Sequence, residues 1–288
     1  MAGTLLVFGH GYSAAALSRR LVPAGWRVLG TTRRAENLAD LEAQGVSGLV
    51  WPGSDMSAAL AQADHLLIST APDEAGDPVL LALGKDIAAR ASGLRWVGYL
   101  STTAVYGDHG GGWVDETTPL APATRRGRWR VAAETAWQEL AVECGLPLHI
   151  FRLAGIYGPG RGPFAKVRAG TARRIIKSGQ VFSRIHVEDI ARVLEASIAR
   201  PAAGAVYNVC DDEAAPPEDV IALAAELLGL PLPQAVAYED AEMTPMARSF
   251  YAESKRVRND RLKSELGVKL EFPDYRSGLR DLLARETG

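Results

Sequence analysis

Short apolar runs alternate with longer amphipathic stretches through the first hundred residues. The runs at residues 5–8, 26–31, 48–50, 65–69 and 96–101 are each bounded by turn-forming residues and read as strands. Between them, residues 12–22, 35–43, 57–61 and 78–91 have helical length and periodicity. Strands alternating with helices at this spacing bury both faces of a parallel sheet, so the expected fold class is α/β, a doubly wound parallel sheet. Such a sheet takes ligands at the carboxyl ends of its strands. After Ser101 the pattern changes to a loop rich in Gly and Pro through Thr124, then a helix at about 128–143 and a strand at 148–153. Further on, helices are expected at 187–199, 217–228 and 260–266, with a strand at 206–209 and a Pro-rich connection around Pro231 and Pro233. The expected division is a ligand-binding α/β domain over residues 1–175, to which 185–210 return. A smaller C-terminal α+β substrate domain takes 176–184 and 211–288.

The first strand runs into Gly9-His10-Gly11-Tyr12-Ser13-Ala14, and a helix follows. This is G-x-G-x-x-A in the strand–turn–helix context that makes it informative. Gly9 permits the tight turn, Gly11 lets backbone amides approach a pyrophosphate, and Ala14 is small enough for helix and strand to pack. His10 is expected to be a solvent-facing loop residue. The sheet is therefore expected to be of the Rossmann type, binding a dinucleotide. At the end of the second strand, where an Asp or Glu would bond an adenosine ribose, stands Thr31-Thr32-Arg33-Arg34. A carboxylate would repel a 2′-phosphate, whereas hydroxyls and guanidinium groups bind it, so NADP is the expected cofactor and NAD the alternative. A bland reading stays open, in which Arg33 and Arg34 start a solvated helix beside Glu36. Thr70, Ala71 and Pro72, at the end of the fourth strand, should border the adenosine side.

Composition narrows the partners. With 47% hydrophobic and 23% charged residues over 288 positions, the chain has the means for a substantial core, and neither disorder nor a fibrous repeat describes it. The apolar runs are far shorter than the roughly 20 residues needed to span a bilayer. Met1-Ala2-Gly3-Thr4 carries no secretory pattern, so the expected location is cytoplasmic. The formal charge of −2 lacks the basic footprint of a nucleic-acid binder, while a few localised cations suit a phosphorylated small molecule. Cys144 and Cys210 have no C-x-x-C partner and no His at ligand spacing, so no metal is expected and both read as buried small hydrophobes.

Five later motifs, in order, carry a family resemblance. They are Ser101-Thr102-Thr103-Ala104-Val105-Tyr106-Gly107, Val114-Asp115-Glu116-Thr117-Thr118-Pro119, Arg152-Leu153-Ala154-Gly155-Ile156-Tyr157-Gly158-Pro159-Gly160, Arg184-Ile185-His186-Val187-Glu188-Asp189-Ile190 and Tyr207-Asn208-Val209. Together with the glycine loop they resemble the extended short-chain dehydrogenases/reductases, the NAD-dependent epimerase/dehydratase family, over about residues 4–210. Lys255-Arg256-Val257, Asn259 and Leu266-Gly267 resemble the C-terminal part of a less characterised subgroup. The resemblance implies an oxidoreductase or epimerase-like enzyme acting on a polar, sugar-derived small molecule, as monomer or homodimer. It implies that Thr102 polarises the reacting oxygen, that Ser101 borders the cofactor, and that Thr103, Tyr157, Arg161 and His186 face the substrate.

The chain departs from the family at one place. The family's acid/base is a tyrosine in Tyr-x-x-x-Lys; alignment on Gly127 and Ala133-Glu134 puts Arg126 at the tyrosine position and Arg130 at the lysine position. No Tyr lies between Gly107 and Glu134. Arginine stays protonated and cannot act as a general base at neutral pH. Three explanations compete. Arg130 holds the nicotinamide ribose while Tyr106, Tyr157 or His186 carries the proton; or Arg125, Arg126 and Arg128 form an anion site; or the protein binds the dinucleotide without catalysis and reports redox state to a partner. Bland readings stand beside these. Thr102 caps a strand end, His186 is a packed histidine, the glycines after Tyr157 shape a turn, Asp189 anchors a helix start, and the arginines lie on a solvated helix face.

Overall fold

The computed structural model describes residues 2–287. The first half is a regular alternation: β1 (Thr4–Phe8), α1 (Tyr12–Leu21), β2 (Arg27–Thr32), α2 (Leu38–Ala43), β3 (Ser47–Val50), α3 (Ser57–Gln62), β4 (His65–Ile68), α4 (Pro78–Ala89) and β5 (Trp96–Thr102). A 3-10 turn (Thr103–Tyr106) and the two-residue β6 (Trp113–Val114) lead to α5 (Arg125–Cys144) and β7 (Leu148–Leu153). The remainder comprises β8 (Gly155–Tyr157), α6 (Phe164–Arg168), β9 (Arg174–Ile176), β10 (Arg184–His186), α7 (Val187–Ala199), β11 (Val206–Val209) and α8 (Pro217–Leu227). It ends with β12 (Ala235–Ala237), α9 (Pro245–Phe250), β13 (Arg256–Val257), α10 (Asp260–Leu266) and α11 (Tyr275–Thr287).

Seven strands form one parallel sheet in the order β11-β7-β5-β4-β1-β2-β3. The chain winds outward from β1 through β2 to β3, then returns to lay β4 on the other side of β1. That reversal makes the carboxyl ends of β1 and β4 the switch point of the sheet, the place where a doubly wound sheet binds its ligand in a crevice. Alternation along β1 decides the two faces: Leu5 and Val7 join a core with Leu17 and Leu194, whereas Leu6 and Phe8 join one with Leu66, Tyr99 and Trp137. A third apolar cluster joins Tyr157 and Phe164 to Ala224, Tyr275, Leu279 and Leu282. The short parallel pairs β8–β10, β9–β12 and β6–β13 lie outside the main sheet.

Local chemistry places the helices. Asp77 caps α4 by accepting the Val79 and Leu80 amides, with Pro78 as the first helical residue. Thr124 accepts the Gly127 amide at 3.0 Å and starts α5 three residues before the expected 128. The earlier start puts Arg125 and Arg126 inside the first turn. The expected helix over 35–43 is a 3-10 turn (Ala35–Asn37) followed by α2. Of the two cysteines, Cys210 is buried as expected but Cys144 is only half-buried, because it lies on the last turn of α5, where its thiol donates to the Leu140 carbonyl.

A buried polar network ties α5 to the sheet. Glu134 of α5 forms an ion pair with Arg152 of β7 at 2.7 Å and accepts the hydroxyl of Ser101 of β5. Arg152 also donates to the Tyr106 hydroxyl at 3.0 Å, and Tyr106 donates to Asn208 of β11 at 2.7 Å. Glu134 and Arg152 are 1% and 5% exposed, so removing one leaves the other charge in the core. Glu134→Ala should therefore lower the unfolding free energy by about 3–5 kcal/mol, read from urea unfolding; a midpoint matching the parent's would show that the pair does not hold α5.

Candidate functional site

Gly9 follows β1 with φ +82°, and a Cβ there would lie 3.1 Å from the Thr70 methyl and 3.2 Å from the Thr70 amide nitrogen. Only glycine fits where the turn passes this close to the end of β4. The turn is held from β2: Thr31 accepts the Gly9 amide on its hydroxyl at 2.8 Å and the His10 amide on its carbonyl at 2.9 Å. Gly11 caps α1 without a side chain, and the first amide to bond back into the helix is that of Ala15, to the Gly11 carbonyl. The amides of Tyr12, Ser13 and Ala14 therefore precede the helical ladder and carry its positive end. A Cβ on Gly11 would meet nothing closer than 3.9 Å, so the space beside these amides is open. The Thr70 hydroxyl oxygen is buried and makes no hydrogen bond. Open amides, an open cradle and an orphaned hydroxyl at one strand junction fit a diphosphate and its attached ribose.

His10 departs from expectation. Its Nε2 shares a 2.8 Å hydrogen bond with the Ser18 hydroxyl, and a Cβ on Gly30 would lie 3.0 Å from its ring. Burial lowers its pKa, so the ring is a neutral, half-buried bridge between the loop and α1 where a solvent-facing side chain was the expectation. At the end of β2, Thr32 accepts from the Arg34 amide and the Asn37 side chain, each at 3.3 Å. Arg34 pairs with Glu36 at 3.3 Å, both side chains exposed, and Arg33 is exposed as well. Ala71 is exposed and Pro72 buried at the end of β4.

Across the crevice, Thr102 ends β5 and its hydroxyl accepts the Ala104 amide at 3.2 Å, capping the 3-10 turn. The hydroxyl proton stays available for donation. Thr103 is half-buried beside it, while the Ser101 side chain is turned into the core onto Glu134. Gly127 brings α5 against this turn: a Cβ there would lie 3.0 Å from the Ala104 carbonyl oxygen. Arg126 precedes it on the exposed first turn. Arg130, one turn on, directs Nη1 to the Leu100 carbonyl at 2.7 Å, the Tyr99 hydroxyl at 3.0 Å and the Thr70 carbonyl at 3.4 Å. One guanidinium thus bridges the ends of β4 and β5, and Thr102, Thr70 and Arg130 share one rim.

The other expected site side chains are buried or lie on the loop after β8. Tyr106 is fully buried, bonded to Arg152 and Asn208, and burial pushes its pKa up to about 12. Tyr157 belongs to the third apolar cluster, donates to the Asp274 carbonyl at 3.4 Å, and has its pKa raised far further by burial. His186 is fully buried between Tyr157 and Phe272, with ring centroids 5.2 and 4.1 Å away. Its Nδ1 accepts the Glu188 amide at 3.3 Å, capping α7, and its Nε2 has no partner. Asp189 was expected to anchor a helix start. It sits inside the first turn of α7 instead, and its buried carboxylate accepts the Glu271 and Phe272 amides, tying down the segment before α11. Arg161 lies on the exposed loop after β8, with its guanidinium carbon 4.3 Å from the centroid of the Tyr12 ring.

The roles of four residues escaped sequence reading. Thr31 was visible only as one of two threonines at a strand end; its fixing of the glycine turn depends on β2 lying beside β1. Glu134 and Arg152 find each other across 18 residues of chain. Lys255, 9% exposed, donates to the Gly107 carbonyl at 2.7 Å and to Glu253 at 2.6 Å, holding the turn after Tyr106 from 148 residues away. Burial lowers the His186 pKa from 6.5 to about 4. The unfolded chain therefore binds a proton that the folded chain refuses between those values, and this contribution to stability is complete above 6.5 and lost as pH falls toward 4. His186→Asn keeps a capping acceptor for Glu188. Relative to this variant, the parent should lose stability on acidification through that window; parallel curves would refute the buried neutral imidazole.

Residues 86–210 match the model of the NAD dependent epimerase/dehydratase family. The chain is 66% identical to a conserved protein of unknown function from Silicibacter pomeroyi DSS, with a TM-score of 0.95 over 99% of both chains. It is 29% identical to Protein YeeZ of Escherichia coli K12 over 93% of this chain and 96% of that one. The UDP-glucuronic acid 4-epimerase of Bacillus cereus, solved in complex with NAD, shares the fold with a TM-score of 0.78 at 16% identity, covering 98% of this chain and 99% of that one. The strand order, the ordered motifs and these matches agree: residues 86–210 carry the match to the NAD dependent epimerase/dehydratase family, and the whole chain shares the fold of the B. cereus epimerase.

Proposed function

We propose that this protein is an NADP-binding oxidoreductase or epimerase-like enzyme acting on a polar, sugar-derived small molecule. The observation that carries the reading is the glycine turn at the β1–β4 reversal, with open amides on one side and the Thr102–Arg130 rim on the other. The B. cereus epimerase, bound to NAD in the same fold, supports a nicotinamide dinucleotide. The amides of Tyr12, Ser13 and Ala14 would hold the diphosphate, and the Thr70 hydroxyl, which has no internal partner, would bond the adenosine half. Arg33 and Arg34 at the end of β2, with no carboxylate beside the strand end except the exposed Glu36, favour a 2′-phosphate.

The bound nicotinamide would supply or accept hydride at its C4. The chain's own residues supply orientation and charge. Thr102 donates a hydrogen bond from its hydroxyl to the reacting oxygen of the substrate, keeping its own proton, while its lone pair stays on the Ala104 amide. Arg126, at the solvent-exposed start of α5, stabilises negative charge on that oxygen as a fixed cation, and water at the open mouth exchanges the proton. Arg130, pinned by three acceptors, positions the nicotinamide ribose. Arg125, Arg126 and Arg128 on one turn, with no acidic residue there, suit a substrate that carries an anionic group.

A second reading is a non-catalytic protein that senses NADP and regulates a partner. It is favoured by one observation: Tyr106, Tyr157 and His186, the side chains considered as replacement proton carriers, are all buried.

Titration of NADPH and NADH, followed by nicotinamide fluorescence, should give tighter NADPH binding, and Arg33→Ala should weaken NADPH by about tenfold with little change for NADH, the scale of one charge-assisted contact. Equal affinities would remove the NADP preference. In turnover assays over sugar nucleotides, Thr102→Val should lower kcat by about a hundredfold, as for loss of one oxyanion donor, and leave NADPH affinity unchanged. Tight NADPH binding without turnover of any sugar nucleotide would favour the sensor.

A further inference from the structure

The loop after β8 is fastened to the first residue of α1. Tyr12 donates its hydroxyl to the Pro159 carbonyl at 2.9 Å, across 147 residues of chain. Gly158 packs so closely beneath it that a Cβ would lie 2.4 Å from the Tyr12 hydroxyl oxygen and 2.7 Å from a Val187 methyl. Gly158 and Arg161 close the loop on each other, amide to carbonyl, at 2.8 and 3.2 Å. The closed turn delivers the Arg161 guanidinium onto the face of the Tyr12 ring, 4.3 Å from its centroid. A guanidinium stacked on an aromatic ring keeps its N–H donors in its own plane, ready for an oxyanion.

No carboxylate claims this cation. Among the described residues Arg161 makes no ion pair, and the nearby Glu188 is held by Arg19 at 2.8 Å. The first turn of α1 contains no acidic residue. A full positive charge therefore rests on the first residue of the helix, supplied by a loop about 147 residues further along the chain.

We propose that Arg161 clamps the diphosphate of the bound dinucleotide, with Tyr12 as the positioning residue that carries the guanidinium on its ring and latches the loop through its hydroxyl. This rests on the dinucleotide reading above and moves Arg161 from the substrate-facing role that the family resemblance implies. The amides of α1 grip the diphosphate from beneath, and Arg161 closes over it. The turn between Gly158 and Arg161 thereby couples cofactor occupancy to the segment that leads into the C-terminal part of the chain.

The test is calorimetric titration of the full chain with NADPH and with ADP, in the absence of any substrate. Arg161→Ala should weaken both by about tenfold, the scale of one charge-assisted contact. Arg161→Lys, which keeps the charge and loses the planar fork, should fall between. Tyr12→Phe, which keeps the ring and loses the latch, should weaken both ligands by less than Arg161→Ala. Arg161 is exposed, so thermal unfolding of its variants should match the parent. If the parent binds NADPH and ADP and Arg161→Ala binds them equally well, the clamp is overturned while the dinucleotide reading stands. If the parent binds neither, both fall.

Discussion

One buried carboxylate holds the two halves of the site in register. Glu134 lies on α5, yet its partners are Ser101 on β5 and Arg152 on β7, and Arg152 passes the connection through Tyr106 to Asn208 on β11. Charges this deep are tolerated only when paired and hydrogen-bonded, so α5 cannot slide along the sheet without exposing an uncompensated ion to the core. The helix start, with Arg126 and Arg130, is consequently fixed against Thr102. The same network explains why Tyr106 has its hydroxyl in the interior: it is an internal link in the frame, held by an arginine below and an amide beside it.

The opposite side of the crevice relies on close approach. Gly9 runs against Thr70, Thr31 holds both amides of the turn, and His10 folds back onto Ser18. Nothing in that arrangement consumes the amides that follow Gly11. Two rigid rims thus face each other across an open cradle, one offering helix-end amides and the other a hydroxyl and guanidinium groups. Arginines standing at the positions of the family's tyrosine and lysine change what such a rim can do. On the proposed reading they supply permanent positive charge where the resemblance places a titrating pair, and a guanidinium binds and stabilises anions without giving up its own proton.

Much of this was legible in the chain itself. The short apolar runs spaced by helical stretches, the strand–glycine–helix order and the five later motifs were sufficient for the parallel sheet and for the strand ends where it takes a ligand, because these signals act over a few residues. The start of α5 was misjudged by one turn, since Thr124 and Gly127 make a cap whose strength is not visible in hydrophobic periodicity. The helix α11 and the short paired strands outside the main sheet went unread because their partners lie far away in sequence.

By itself the sequence determined the layered fold and the glycine turn, both consequences of residue type and local spacing. Tertiary structure alone decided which polar side chains remain available. Tyr106, Tyr157 and His186 look equally suited to chemistry along the chain, and only packing between distant strands and helices, which sets burial and hydrogen-bond partners, drew them inward. The same distant packing carried Arg161 onto Tyr12, a juxtaposition no local pattern encodes.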